Sequence, residues 1–191
     1  MRYWIVNRQS RSIVLIGMMG AGKSSVGRSL HRRTGLGLLD TDEIVALNFG
    51  MSIREIFAEH GENKFRDAET EALRRMRTAE QTIIITGGGI VLRKENVEIL
   101  RRQAAIVWLD GEEETLFARA SRKQNRPLLQ TKNPREAFSQ ILASRRPLYA
   151  NIADIRVDTS VLTDEEVAVA ILAKLRRMNL KPESTIRAKA L

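Results

Sequence analysis

Residues 17–24 read Gly-Met-Met-Gly-Ala-Gly-Lys-Ser and follow directly on the apolar run Ile13-Val14-Leu15-Ile16. This is the G-x-x-x-x-G-K-S pattern, and it constrains the chain on both sides: a buried strand has to end at the loop, and a helix has to begin just after it. Glycines let successive backbone N–H groups turn inward around phosphate oxygens, and the helix N-terminus adds positive potential. On that reading Gly20, Ala21, Gly22, Ser24 and Ser25 cradle the phosphates of a nucleoside triphosphate. Lys23 reaches the β and γ phosphates, and the Ser24 hydroxyl is placed to ligate Mg2+.

The rest of the chain repeats the strand, turn, helix rhythm. Apolar runs of strand length recur at Leu36 to Leu39, Ile83 to Ile85, Ala105 to Leu109 and Ile155 to Val157. They are near-continuous Ile, Val and Leu rather than alternating, which predicts strands covered on both faces. Stretches of helical spacing lie between them: 26–33, 52–60, 68–78, 92–101, 112–122, 134–144 and 165–177. Thr163 ahead of Asp164 and Glu166 reads as a helix cap, and Gly111 precedes three glutamates suited to the positive end of a helix. The expected fold is α/β, a three-layer αβα arrangement around a five-stranded parallel sheet.

Composition sets limits on the partners. The 191 residues include no cysteine, so there is no disulfide framework and no thiolate metal site. No run approaches the length of a membrane span, and residues 1–11 lack the apolar core of a signal peptide, so a cytoplasmic location without membrane contact is expected. The formal charge is +9, which raises nucleic acid as a partner. Its distribution argues otherwise. Arg2, Arg8 and Arg11 at the start, and Lys174, Arg176, Arg177, Lys181, Arg187 and Lys189 at the end, carry nearly all of the excess. We therefore expect a basic extension over 1–11, one near-neutral domain over 12–178 and a basic tail over 179–191, with no nucleic-acid partner. The polar stretch Ser121 to Pro134 separates two helices and reads as a lid.

A phosphate loop does not name the group that receives the phosphate. No N-K-x-D guanine-reading sequence is present, and a small domain with a lid points to a kinase acting on a small molecule. Candidate readers of that second substrate follow the strands. Asp40 and Asp42 sit at the end of the second strand, where parallel sheets bind ligands. One could order Mg2+ through its water shell and the other could accept the proton of a hydroxyl, although Asp42 could equally cap the next helix. Gly87, Gly88 and Gly89 follow the third strand directly. Arg66 and Arg145 offer planar forks matched to a carboxylate.

Together these segments resemble the shikimate kinase family. The likeness runs from about Ile13 to about Leu172. It rests on Gly17 to Ser25, Leu39-Asp40-Thr41-Asp42, Ser52-Ile53-x-x-Ile56-Phe57, Gly61-Glu62-x-x-Phe65-Arg66-x-x-Glu69, the glycine triplet, Arg126-Pro127-Leu128-Leu129 and Arg145-x-Pro147-Leu148-Tyr149. The resemblance implies a nucleoside-monophosphate-kinase-like fold, with a substrate-binding helical segment at about 42–70 and a lid at about 119–134. It implies ATP and Mg2+ as cofactors and phosphorylation of the 3-hydroxyl of shikimate, by a chain expected to act as a monomer. By position, Lys23, Asp42 and Arg126 are the catalytic candidates, and Arg119 and Arg126 lie by the nucleotide. Asp42, Arg66, the glycines and Arg145 hold the substrate, Glu69 orients the arginines, and Ser24 with Asp40 serves the metal.

One segment departs from the family pattern. After Val157-Asp158-Thr159, many members carry a basic residue and a proline beside adenine, whereas this chain has Ser160-Val161-Leu162-Thr163-Asp164. ATP over GTP is therefore not readable from the sequence, and Arg146 receives no role. A gluconate-type carbohydrate kinase, a nucleoside monophosphate kinase and a non-catalytic nucleotide-binding regulator remain as alternatives.

Overall fold

A computed structural model describes residues 12–76, 81–122 and 127–179. Five strands form one parallel sheet: β1 (Ser12–Ile16), β2 (Gly37–Asp40), β3 (Thr82–Ile85), β4 (Ala104–Asp110) and β5 (Ile155–Asp158), in the order β2-β3-β1-β4-β5. β1 lies at the centre, with Val14 beside Ile84 on one side and Ile106 on the other. Every residue of β1 is buried, which is why that strand is unbroken Ser-Ile-Val-Leu-Ile. The expectation of two-sided burial holds for β1, β3 and β4 but not for β2 and β5. Those are the sheet edges, and in β5 exposed Arg156 and Asp158 alternate with buried Ile155 and Val157.

The helices are α1 (Lys23–Thr34), α2 (Thr41–Phe49), α3 (Ile53–Arg75), α4 (Lys94–Gln103), α5 (Glu113–Ser121), α6 (Pro134–Ile152) and α7 (Asp164–Asn179). α2 is absent from the stretches of helical spacing because it is short and begins directly at the end of β2, but it opens the helical segment that the resemblance implied at about 42–70. Its cap is Asp40, whose Oδ1 accepts from the Asp42 N–H at 3.0 Å. Asp42 is thus free of the capping role and sits in the first turn.

The two helices expected at 52–60 and 68–78 are present and meet across a kink within α3, the second beginning earlier than expected. α3 starts with a reciprocal cap between Ser52 and Glu55 and bends at Gly61, where φ is 77°. A residue without Cβ absorbs that left-handed step, and helical hydrogen bonding resumes at once. α6 likewise runs past Ser144, its expected end, because Pro147 removes only one N–H donor while Tyr149 and Ile152 keep the following turn buried.

The core forms two parts. The larger gathers the sheet with the inward faces of α1, α4, α5, α6 and α7. A smaller one, Val45, Ile56, Phe65 and Ala72, lies between α2 and α3. The segment expected to hold the acceptor therefore has an apolar centre of its own. Because the strands are parallel, the loops after each of them emerge on one edge of the sheet, where the order places β1 between strands reached in opposite directions. Ligands bind at such a point in open α/β sheets.

Candidate active site

The loop after β1 is pressed against its neighbours. A Cβ on Gly17 would lie 2.2 Å from the Leu109 carbonyl oxygen, and one on Gly20 would lie 2.1 Å from that of Leu116. Neither backbone oxygen can move aside cheaply, so both positions require glycine. α1 begins with Gly22 as its cap, without a side-chain cap and without an acid in its first turn. Its leading N–H groups are therefore left for an anion. The Lys23 ammonium is held over the loop, donating to the carbonyl oxygens of Gly17 at 2.8 Å and Met18 at 3.0 Å. Ala21 is placed differently from its neighbours: it is fully buried, and its N–H donates to the Met18 carbonyl, closing the turn.

Gly20, Gly22, Lys23, Ser24 and Ser25 form one wall of a cleft of about 590 Å³. Asp40, Asp42, Thr86, Gly87 and Gly88 form another, and Arg119, Arg122, Leu162, Thr163 and Asp164 complete it. Arg119 spends its guanidinium on the loop after β5, donating to the Thr159 carbonyl at 3.0 Å and the Ser160 carbonyl at 3.3 Å. It braces the far wall of the cleft as well as lining it. Arg146 does similar work next door, donating to the Gly111 carbonyl at 2.6 Å and to the buried Asp110. Arg126 lies outside the described residues.

A second, smaller cavity of about 80 Å³ adjoins the first and shares Met19, Asp42, Gly87 and Gly88 with it. Phe57, Phe65, Arg66, Gly89, Pro127, Leu128 and Arg145 complete its lining. The glycine triplet makes room for charged side chains here. A Cβ on Gly87 would meet Glu69 Oε1 at 2.5 Å and Asp42 Oδ1 at 2.7 Å, and one on Gly89 would meet the Arg66 guanidinium at 2.3 Å. Sequence reasoning assigned the triplet to ligand approach. The structure adds that the side chains of Asp42, Glu69 and Arg66 already occupy the space its missing Cβ atoms leave.

The two arginines of this cavity differ in their partners. Arg66 is 6% exposed and is paired twice, with Glu69 Oε2 at 2.9 Å and Glu62 Oε1 at 2.9 Å. Arg145 is equally buried, yet no carboxylate of a described residue lies within ion-pairing distance. Its guanidinium hydrogen-bonds the Tyr149 side chain and feels Glu69 only through space, so this cavity favours an anionic ligand beside Arg145. Burial, together with the nearby Asp42, raises the pKa of Glu69 in spite of Arg66, and Glu69 Oε1 accepts no hydrogen bond from a described residue.

Three contributors went unassigned in the sequence. Thr41, fully buried, accepts the Gly87 N–H at 3.2 Å and ties the β2 loop to the triplet. Tyr149, on α6 one turn after Arg145, donates to the Gly88 carbonyl, and burial pushes its pKa up to about 12. The phenol therefore stays a donor at any physiological pH. Arg122 joins the larger cleft with no sequence signal to separate it from the chain's other arginines.

The model of one protein family, shikimate kinase, matches residues 19–176. The chain belongs to the shikimate kinase family. The shikimate kinase of Thermodesulfovibrio yellowstonii is 42% identical over 169 residues, covering 88% of this chain and 97% of that one. A solved shikimate kinase from Acinetobacter baumannii, in complex with shikimate, superposes with a TM-score of 0.86 at 34% identity and covers 91% of this chain and 97% of its own. A gluconokinase from Sinorhizobium meliloti, at TM-score 0.59 and 20% identity, shares the fold alone. Family membership thus favours the shikimate kinase reading over the carbohydrate kinase and regulator alternatives. Among the described residues no helix is long and apolar enough to cross a membrane.

Proposed function

We propose that this chain transfers the γ-phosphoryl group of Mg·ATP to the 3-hydroxyl of shikimate, giving shikimate 3-phosphate and ADP in the cytoplasm, as a step towards aromatic amino acids. The observation that carries the reading is the buried Arg145 without a carboxylate, in a cavity that shares Asp42 with the phosphate-loop cleft. Shikimate is an anionic ring bearing hydroxyls, so Arg66 and Arg145 take its carboxylate while Asp42 accepts a hydrogen bond from the hydroxyl that reacts. Asp42 stands on the wall common to both cavities, where the acceptor oxygen has to meet the phosphate. As the O–P bond forms and the bond to ADP breaks, the hydroxyl proton passes to the Asp42 carboxylate. Lys23 leaves the loop carbonyls for the β and γ phosphates, and the α1 N-terminus neutralises the phosphate charge.

The metal assignment fits the residues present. Ser24 contributes a hydroxyl and Asp40 a carboxylate to the same cleft, an oxygen donor set suited to a hard cation that keeps much of its water. Burial first, and the neighbouring Asp42 second, push the Asp40 pKa up to about 6, and a cation bound beside it would favour the ionised form. Bound there with ATP, Mg2+ would neutralise charge on the transferring phosphates. Arg126 remains our candidate for the lid cation that closes over the phosphates. A working monomer is part of the proposal. The test is ADP release coupled to NADH oxidation with Mg·ATP and shikimate, with gluconate as the control acceptor. Folded protein with no shikimate-dependent ADP release would refute the proposal.

A further inference from the structure

The loop after β5 forms part of the larger cleft: Leu162, Thr163 and Asp164 face the same space as Gly22, Lys23 and Ser24. α7 opens with three consecutive acids, Asp164, Glu165 and Glu166, and their carboxylates are used differently. Glu165 binds Arg32 at 2.6 Å and Arg33 at 2.7 Å. Glu166 closes the helix cap, accepting from the N–H and the hydroxyl of Thr163, each at 2.8 Å. Asp164 makes no hydrogen bond or ion pair with a described residue, and its Oδ1 lies 3.4 Å from the point a Cβ on Gly22 would occupy.

A carboxylate this close to a phosphate-binding loop repels a triphosphate unless neutral donors of the same ligand satisfy it. The donors next to the phosphates are the ribose hydroxyls, because the sugar is joined to the α-phosphate and the base lies a whole sugar further out. We propose that Asp164 accepts hydrogen bonds from the ribose hydroxyls of the bound nucleotide, and that this chain thereby selects ribonucleotides over their deoxy counterparts. The inference rests on the assignment of the larger cleft to the nucleotide. The neighbouring Glu165 cannot substitute, since its oxygens are held by α1.

The test is calorimetric binding of ADP, 2′-deoxyADP and 3′-deoxyADP to the full chain, with no acceptor present. The wild type should bind ADP about tenfold more tightly than at least one of the deoxy nucleotides, as expected for a hydrogen bond to a charged group. Asp164→Ala should bring that ratio close to one by weakening ADP. Asp164→Asn, which keeps the residue's shape at the helix start, should reduce the ratio as well. Glu165→Gln, on the same helix turn, should leave it unchanged, which separates a specific contact from a general loss of negative charge. An unchanged ratio in the Asp164 variants, or equal tightening of all three nucleotides, overturns the Asp164 assignment while leaving the cleft assignment standing. If the wild type binds none of the three, the cleft assignment fails and takes this inference with it.

Discussion

At the scale of single residues, the smaller cavity holds one arginine ion-paired to carboxylates and one without such a pair among the described residues. Arg66→Ala strands the buried Glu69 and should cost about 3 kcal/mol or more of stability, whereas Arg145→Ala removes a buried cation that acts on Glu69 only through space and should cost far less. Both should raise the shikimate KM by at least about tenfold with a smaller effect on kcat. Thermal unfolding and steady-state kinetics on the two variants check the contrast; equal destabilisation would refute it. Asp40 shows the opposite trade. Its pKa is raised from an ordinary 3.8 to about 6, so the folded chain holds that proton more tightly than the unfolded one does. Its contribution to stability is full below about pH 4 and is lost as pH rises through about 6. Asp40→Asn retains an oxygen for the Asp42 N–H and should be more stable than wild type at pH 7, by about 1–2 kcal/mol after solvent screening. It should also bind Mg·nucleotide less well. Denaturant unfolding at pH 4 and pH 7 tests this: the difference between the proteins should appear only at the higher pH.

At the scale of elements, the site depends on close approach between segments remote in sequence. The loop after β3 meets Asp42 from α2, Arg66 and Glu69 from α3, and the Tyr149 hydroxyl from α6. Gly87→Ala would put a Cβ 2.5 Å from Glu69 Oε1 and 2.7 Å from Asp42 Oδ1. Displacing two carboxylates by about an ångström should lower kcat/KM on the order of a hundredfold, while nucleotide binding measured alone falls much less. A Gly87→Ala enzyme with wild-type kcat/KM would show that these side chains are not held in place by the loop. The element boundaries follow the same principle. Periodicity misses α2 because it is short and starts directly from β2 on its Asp40 cap, and misses the tail of α6 because Pro147 reads locally as a stop that burial of the following turn overrides.

At the scale of the whole molecule, charge is distributed by task. Lys23, Arg66, Arg119 and Arg145 line the two cavities, while surface cations pair across elements, as when Arg32 and Arg33 of α1 clasp Glu165 of α7. Those arginines draw the Glu165 pKa down to about 2. The stabilisation it gives is present above about pH 4.5 and is lost as pH falls towards 2. Glu165→Gln should therefore flatten the fall in melting temperature across that acid window and change little at neutral pH, where exposed pairs contribute weakly. The sequence by itself determined the α/β class, the phosphate loop and the segments that would supply the site, because strand and helix periodicity, glycine spelling and motif spacing are local properties of the chain. Tertiary structure alone decided which strands are edges, which arginine lacks a carboxylate, and that Asp164 stands beside Gly22. Burial and charge partnership arise only between segments that folding brings together.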